Sequence, residues 1–288
     1  MPDFILDSLL DVLKLLPYLF VTYLVLEIIE HKAMDKAAAL VQKAGRFGPV
    51  IGGVLGLLPQ CGFSTVVSNL YADRLVTGGT LLAIFLATSD EMLPILISES
   101  VPAGVIFKIL GVKLVSGLVV GLLFDLVRRV MKIREGDVNL HAVCETTHCG
   151  CDDEEGGVLK STLKHTFSIA LFILVITLAL NTIIHFIGED VLRGIILTKP
   201  VVGPLIAGVV GLIPNCAASV IITELFLEGA MTTGAMLAGL LAGSGVGLLV
   251  LFRVNRPMKD NFVLLATLYA AAIVIGIVLD LAGFVITV

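Results

Sequence analysis

Two short tracts of this sequence bring together residue types that can hold a cation or a polar solute. Pro59-Gln60-Cys61-Gly62 and Pro214-Asn215-Cys216-Ala217 each follow an apolar run, and each supplies a carboxamide and a thiol, with a hydroxyl shortly after at Ser64 and Ser219. Proline removes a backbone donor and breaks a helix. The carbonyls and N–H groups so released need partners, and irregular backbone is tolerated at membrane depth only inside protein or along a wet cavity. A proline kink with a packed cysteine accounts for one such tract equally well. Two tracts in matching places favour a binding role.

A second feature is Thr88-Ser89-Asp90-Glu91-Met92-Leu93-Pro94, set in an apolar run. Adjacent carboxylates inside a span cost several kcal/mol or change protonation state, so Asp90 and Glu91 are expected to bind a divalent cation or to exchange protons against it. The alternative is that both face water at an interface. Glu27, deeper in its segment than Glu30 and His31, is a third candidate for proton relay, and Asn69 and Glu224 are further polar positions in apolar stretches. Asp125 and Asp280 are expected at interfacial helix ends. Finally, His141, Cys144, His148, Cys149 and Cys151 crowd one acidic linker. Thiolate and imidazole suit Zn²⁺, Cu⁺ or other thiophilic species. Their spacing fits no standard zinc finger, so a flexible metal-capturing tract is expected rather than a fixed site. An incidental cysteine-bearing polar linker is the alternative.

These groups have to be positioned by helices in lipid. Of 288 residues, 57% are hydrophobic and 15% charged, and the mean hydropathy is +1.05. Soluble domains carry roughly 25% charged residues, so the solvent for most of this surface is expected to be a bilayer. The start, Met1-Pro2-Asp3-Phe4, lacks a basic n-region, and the first apolar segment reads as a retained span.

The chain also repeats itself. Shifted by 155, residues 48–125 fall on 203–280 without a gap, and 26 of the 78 pairs are identical. GLLPQCGFS (56–64) matches GLIPNCAAS (211–219), Thr77 and Gly79 match Thr232 and Gly234, and Asp125 matches Asp280. Asp90-Glu91, by contrast, aligns with Gly245-Val246, so the acids appear on one side only. Paired repeats with interrupted helices are the usual plan of secondary transporters.

Each half shows one long apolar segment (4–30; 163–187), an interrupted one (48–72; 203–227) and two more (76–98 and 104–127; 231–251 and 262–286). The stretch before each proline is too short for the ~20 residues of a full span, which suggests re-entrant hairpins. With the N-terminus outside, Lys32, Lys36, Lys43, Arg46, Arg74, Arg128, Arg129, Arg253, Arg256 and Lys259 are cytoplasmic, as the positive-inside rule requires. An odd number of crossings per half inverts the second half relative to the first. Lys108 and Lys113 fit this scheme poorly and are expected to snorkel. Segment 33–45 is amphipathic and basic, suited either to the interface or to an ordinary connecting helix. The expected fold is thus all-α in the membrane, with two inverted-topology repeats, interrupted or re-entrant helices and about ten membrane segments. Its division is 1–131 for the first repeat, 132–157 for the linker and 158–288 for the second.

The paired I/L-P-x-C-[GA] tips, the span bearing D-E-x-L-P and the His/Cys-rich linker resemble the ten-helix heavy-metal exporter family, whose members are also labelled arsenic efflux proteins or manganese transporters. The likeness covers nearly the whole chain. It departs at the second tip, which reads Asn-Cys-Ala-Ala where the family commonly shows glycine. The resemblance implies a metal or metalloid substrate.

The residues and the resemblance together suggest a secondary active transporter that exports a heavy-metal cation or metalloid by ion-coupled alternating access. It would sit as a multi-pass protein in a prokaryotic cytoplasmic membrane, with its linker in the cytoplasm. Gln60, Cys61, Ser64, Asn215, Cys216 and Ser219 would line the site, and Asp90, Glu91 and Glu27 would couple it to protons. No phosphate-binding loop and no Ser/His/Asp set is present, so neither an ATPase nor another enzyme is expected. Nor is a resident cofactor or a nucleic-acid partner; a homodimer is left open. Two rivals remain: an organic or inorganic anion transporter, because half-helix N-termini favour anions, and a non-transporting metal sensor built on the linker.

Overall fold

The computed structural model describes residues 20, 39–41, 44–57, 61–89, 92–131, 167, 171, 199–213 and 216–286. Segments 4–30 and 163–187 and the linker 132–157 lie wholly or almost wholly outside them. The described residues form helices and no strand. Five come from the first half: α1 (Gly48–Gly56), α2 (Cys61–Ala72), α3 (Gly78–Ala87), α4 (Met92–Ser98) and α5 (Ala103–Val130). Their counterparts are α6 (Val202–Gly211), α7 (Cys216–Leu227), α8 (Thr233–Ala242), α9 (Val246–Val254) and α10 (Met258–Leu281). Read through their breaks, α3–α4 and α8–α9 are long and apolar enough to cross a membrane, as are α5 and α10. At ~1.5 Å per residue α1, α2, α6 and α7 each fall short of a hydrocarbon core about 30 Å thick.

The centre of the fold is α3 beside α8. Every residue of both helices is buried, which is what a helix apolar on all sides requires. Each begins the same way. Thr77 and Thr232 are extended N-caps whose hydroxyls accept from Thr80 N and Ala235 N, both at 3.1 Å. Asp125, near the end of α5, accepts from Thr77 Oγ1 at 2.6 Å and Gly79 N at 2.7 Å. Asp280, near the end of α10, does the same for Thr232 Oγ1 at 2.6 Å and Gly234 N at 2.7 Å. The two aspartates at helix ends therefore have a job: each satisfies orphan donors and complements the positive end of a buried helix.

Small residues set the distances between helices, as they do where lipid offers no hydrophobic drive. Gly48, Gly52 and Gly56 of α1 lie against Thr80, Ile84 and Ala87 of α3. Gly117 and Gly121 of α5 lie against Ala83 and Gly79, and Gly276 of α10 lies against Gly234. The outer faces of α5 and α10 carry Phe107, Val119, Leu123 and Val127, and Phe262, Val274 and Val278, each about half exposed or more. Apolar surface on that scale belongs in lipid.

The halves are interleaved. One buried core joins Phe63, Val67 and Leu82 to Leu248, Leu251 and Leu268. The other joins Met92, Leu96 and Ile109 to Ile222, Phe226 and Met236. α2 packs against α9, and α7 against α4, so the helix after each proline tract lies beside the other half's interrupted span, while α1 and α6 pack on α3 and α8 of their own halves.

α2 and α7 end alike. Arg74 and Gly229 occupy equivalent left-handed positions, φ 62 and 70, and Leu75 N and Ala230 N return to Leu70 O and Leu225 O at 2.8 and 2.9 Å. Gly229 has open space around its Cβ direction, so the cost of a side chain there is conformational alone. Gly229→Ala is expected to lower stability by about 1 kcal/mol, read as a reduced melting temperature in detergent. Arg74 bears the same strain while forming an ion pair with Asp260 at 3.5 Å and stacking on the Tyr71 ring at 5.3 Å. Tyr71 Oη donates to Asp260 Oδ2 at 2.5 Å, and Arg128 pairs with the same carboxylate. This cluster ties the C-terminal ends of α2 and α5 to the start of α10.

Candidate functional site

Four interruptions define the region where chemistry is expected: the two tips ahead of α2 and α7, and the breaks between α3 and α4 and between α8 and α9. The break after α3 is closed by its own hydroxyls. Thr88 Oγ1 donates to Ile84 O at 2.7 Å and Ser89 Oγ to Ala87 O at 3.2 Å, both residues buried. The break after α8 has Gly243, Ser244 and Gly245 instead, with Gly245 at φ 54. Gly243 has no side chain to turn back on the last carbonyls. That task falls to Lys113 of α5, whose Nζ donates to Leu240 O at 2.5 Å. A helix C-terminus carries a partial negative charge and unsatisfied carbonyls, so an ammonium is well placed there.

Lys113 does not snorkel. It is 1% exposed, held inside the protein by the freed carbonyl at the break. A signal for this exists in the sequence: Ile109, Lys113, Gly117 and Gly121 are spaced four apart, which puts Lys113 on the stripe that packs against the core. Its counterpart Leu268 is fully buried as well.

The start of α2 meets the start of α9 across the two halves. Ser64, 1% exposed, stands in the first turn of α2, and a Cβ on Gly247 would approach its Cβ to 2.8 Å. Ser68 Oγ lies 2.8 Å from both Ser64 O and Gly247 O. The N-terminal turns of α2 and α9 are therefore side by side. On the other side the residue aligned with Gly247 is Met92, fully buried in α4 beside α7. Ser219 of α7 accepts from Thr223 Oγ1 at 2.7 Å, matching the Ser68–Ser64 bond.

Of the residues expected at the site, Ser64 and Ser219 are thus placed in the first turns of α2 and α7. Cys61 and Cys216 are the first residues of those helices, with their side chains outside the described part. Gln60, Asn215, Asp90, Glu91 and Glu27 lie outside the described residues, as do His141, Cys144, His148, Cys149 and Cys151. Among the described residues no three His, Cys, Asp or Glu side chains gather into a metal-holding group.

Glu224 of α7 is the second group whose weight the sequence understated. It is 9% exposed, and its Oε1 is buried without a hydrogen-bond partner among the described residues. Its counterpart is Asn69. Near the end of α10, beside Asp280, a half-open groove of about 590 Å³ is lined by Phe226, Met231, Thr232, Thr233, Phe284 and Ile286, among others.

Comparison with known families adds one finding. The family described as "Putative, 10TM heavy-metal exporter" matches the chain twice, over residues 2–156 and 143–281. No curated protein and no solved structure matches the chain. The two matches between them cover almost the whole length, and the chain belongs to this heavy-metal exporter family.

Proposed function

We propose that the chain is a secondary active transporter that carries a heavy-metal cation or metalloid out of the cytoplasm by ion-coupled alternating access. The observation that carries this reading is the crosswise pairing of α2 with α9 and α7 with α4. It sets the helix that follows each proline tract beside the other half's interrupted span, the arrangement from which transporters build a midplane site.

Inverted repeats are supported by the Arg128–Asp260 pair. α5 and α10 are counterparts, yet the end of one meets the start of the other. The cytoplasmic face is the one where Arg74, Arg128, Arg129, Arg253, Arg256 and Lys259 gather at or near the ends of α2, α5 and α9. Counting each hairpin limb separately, together with 4–30 and 163–187, gives ten segments, the number in the family description. The repeats would divide at 131 and 158, with linker 132–157 in the cytoplasm of a prokaryotic cell, where its thiols and imidazoles capture metal. Gln60, Cys61, Ser64, Asn215, Cys216 and Ser219 line the path, and Asp90 and Glu91 supply charge and, with Glu27, proton coupling. The protein acts as a carrier, with no chemical conversion and no resident cofactor.

Counter-flow in proteoliposomes, with Mn²⁺, Zn²⁺, Cu⁺ and arsenite tried singly at several pH values, tests the reading; no exchange of any of them sinks it. Ligand hardness then sorts the substrate. A soft substrate loses about tenfold or more of its flux in Cys61→Ser/Cys216→Ser, whereas hard Mn²⁺ keeps its flux there and loses it in Asp90→Asn.

One observation favours a second reading, an anion transporter. The first turns of α2 and α9 lie together and present helix N-termini, and the buried ammonium of Lys113 adds positive charge. Uptake of oxyanions and carboxylates with no response to metals would select it.

A further inference from the structure

We propose that Glu224 is a further group, beside Asp90, Glu91 and Glu27, that exchanges a proton for the transported cation and so couples export to a proton gradient. This rests on the transport reading above and extends its coupling to a residue outside the tips and the acid pair. Glu224 sits on the second limb of the second hairpin, between the tip at Cys216 and the end of the helix at Leu227. It is 9% exposed, and Oε1 is buried without a hydrogen-bond partner among the described residues. A carboxylate so placed has two stable conditions: it holds a proton, or a cation stands beside it. Alternation between them is ion exchange.

The neighbourhood strengthens the argument. α7 packs against α4, α6 and α8. No titratable residue lies on α4, α6 or α8. The acidic groups nearest these helices in the chain are Glu99, just past the end of α4, and Glu228, just past the end of α7. α5, which shares the same core cluster, bears Lys108, exposed to the outside, and Lys113, engaged with Leu240 O. No described cation therefore pairs with Glu224. α4 follows directly on Asp90-Glu91, and α7 on Asn215-Cys216. Glu224 thus lies along the helix pair that leads away from the proposed site toward the acidic end, opposite the arginine-rich one.

The step balances simply. The Glu224 carboxylic acid loses its proton to water as a cation arrives from the cytoplasmic side, and the resulting carboxylate faces that cation. After the conformational change the cation leaves to the outside and the carboxylate takes a proton from external water. One proton moves in at this residue for each cation that moves out. The counterpart Asn69 cannot do this, so the exchange is one-sided although the fold is doubled.

The test compares two measurements on proteoliposomes of the full chain: counter-flow of Mn²⁺, Zn²⁺ or Cd²⁺, each alone, at equal pH, and uphill accumulation of the same ion driven by an imposed pH gradient. Glu224→Gln, close to isosteric and without an exchangeable proton, is expected to make whatever counter-flow remains independent of pH and to lose gradient-driven accumulation by about tenfold or more. Glu224→Asp is expected to restore the gradient response. Gradient-driven accumulation by Glu224→Gln at the wild-type level overturns the proposal. So does counter-flow in Glu224→Gln that keeps the wild-type dependence on pH, or a Glu224→Asp protein that exchanges the ion but gains no gradient response. A wild-type protein without counter-flow fails the transport reading itself, and so is told apart from either result.

Discussion

Gly121→Val and Gly276→Val should each cost about 3 kcal/mol or more and together leave no folded protein, by the physics of overpacking. A Cβ on Gly121 would stand 2.5 Å from Gly79 O, 2.9 Å from Ala83 Cβ and 3.2 Å from Pro49 Cβ. On Gly276 it would stand 2.5 Å from Gly234 O, 2.7 Å from Ala238 Cβ and 3.2 Å from Pro204 Cβ. None of these is the end of a flexible side chain. The neighbours are backbone, a first side-chain atom and a proline ring, so the helices must part. Parting them also stretches the cap, because Asp125 and Asp280, one turn beyond each glycine, hold Gly79 N and Gly234 N at 2.7 Å. Gly111 is the control. It lies on the same helix as Gly121, with nothing within 4 Å of its Cβ direction, and Gly111→Ala should be neutral or stabilising by up to about 1 kcal/mol. Melting in detergent and the monodisperse fraction on gel filtration decide the matter. Valine variants that melt with the wild type would mean that the helices do not meet at these glycines.

The duplication explains why so much of this architecture can be read from residue types. Thr77, Gly79 and Asp125 recur as Thr232, Gly234 and Asp280 because the three are joined by hydrogen bonds that both halves need; a pattern kept twice in one chain reports its own importance. Pro59 and Pro214 announce the tips, and helix indeed stops at Gly56 and Gly211 and resumes at Cys61 and Cys216. Which tip faces which break is another matter. The pairing of α2 with α9 depends on contacts between residues nearly 180 apart, such as Ser68 with Gly247, and no local periodicity encodes it. Burial of charge was obscured in the same way. Lys113 and Glu224 replace Leu268 and Asn69 in an otherwise similar framework, so the repeat shows that they differ but not what they face. Arg74 is the converse: its counterpart Gly229 would have betrayed the left-handed turn, but its partner Asp260 lies across the fold.

Lys113→Leu should abolish most transport while leaving the fold intact. The stability half of this expectation comes from the other repeat, where Leu268 occupies the equivalent place, fully buried, so the framework accepts leucine on this stripe. The lost bond to Leu240 O is offset in part by relief of a buried charge, so the melting temperature should fall by no more than about 1.5–3 kcal/mol would produce. The functional half comes from what the ammonium does. The break after α8 frees carbonyls where the helix dipole is negative, and Gly243 has no hydroxyl to answer them as Thr88 answers Ile84 O in the first half. Lys113 Nζ answers Leu240 O. In the proposed carrier this ammonium stands in for a cation at the centre of the molecule. Without it, the carbonyl at the break either takes water or draws the transported ion into a place from which it does not leave. Counter-flow should fall about tenfold to a hundredfold, the range for a lost charge-assisted hydrogen bond of ~1.5–3 kcal/mol. Lys113→Arg keeps the charge but not the compact geometry and should recover only part of the flux. Wild-type counter-flow in Lys113→Leu would reduce the ammonium to a filler of the helix end.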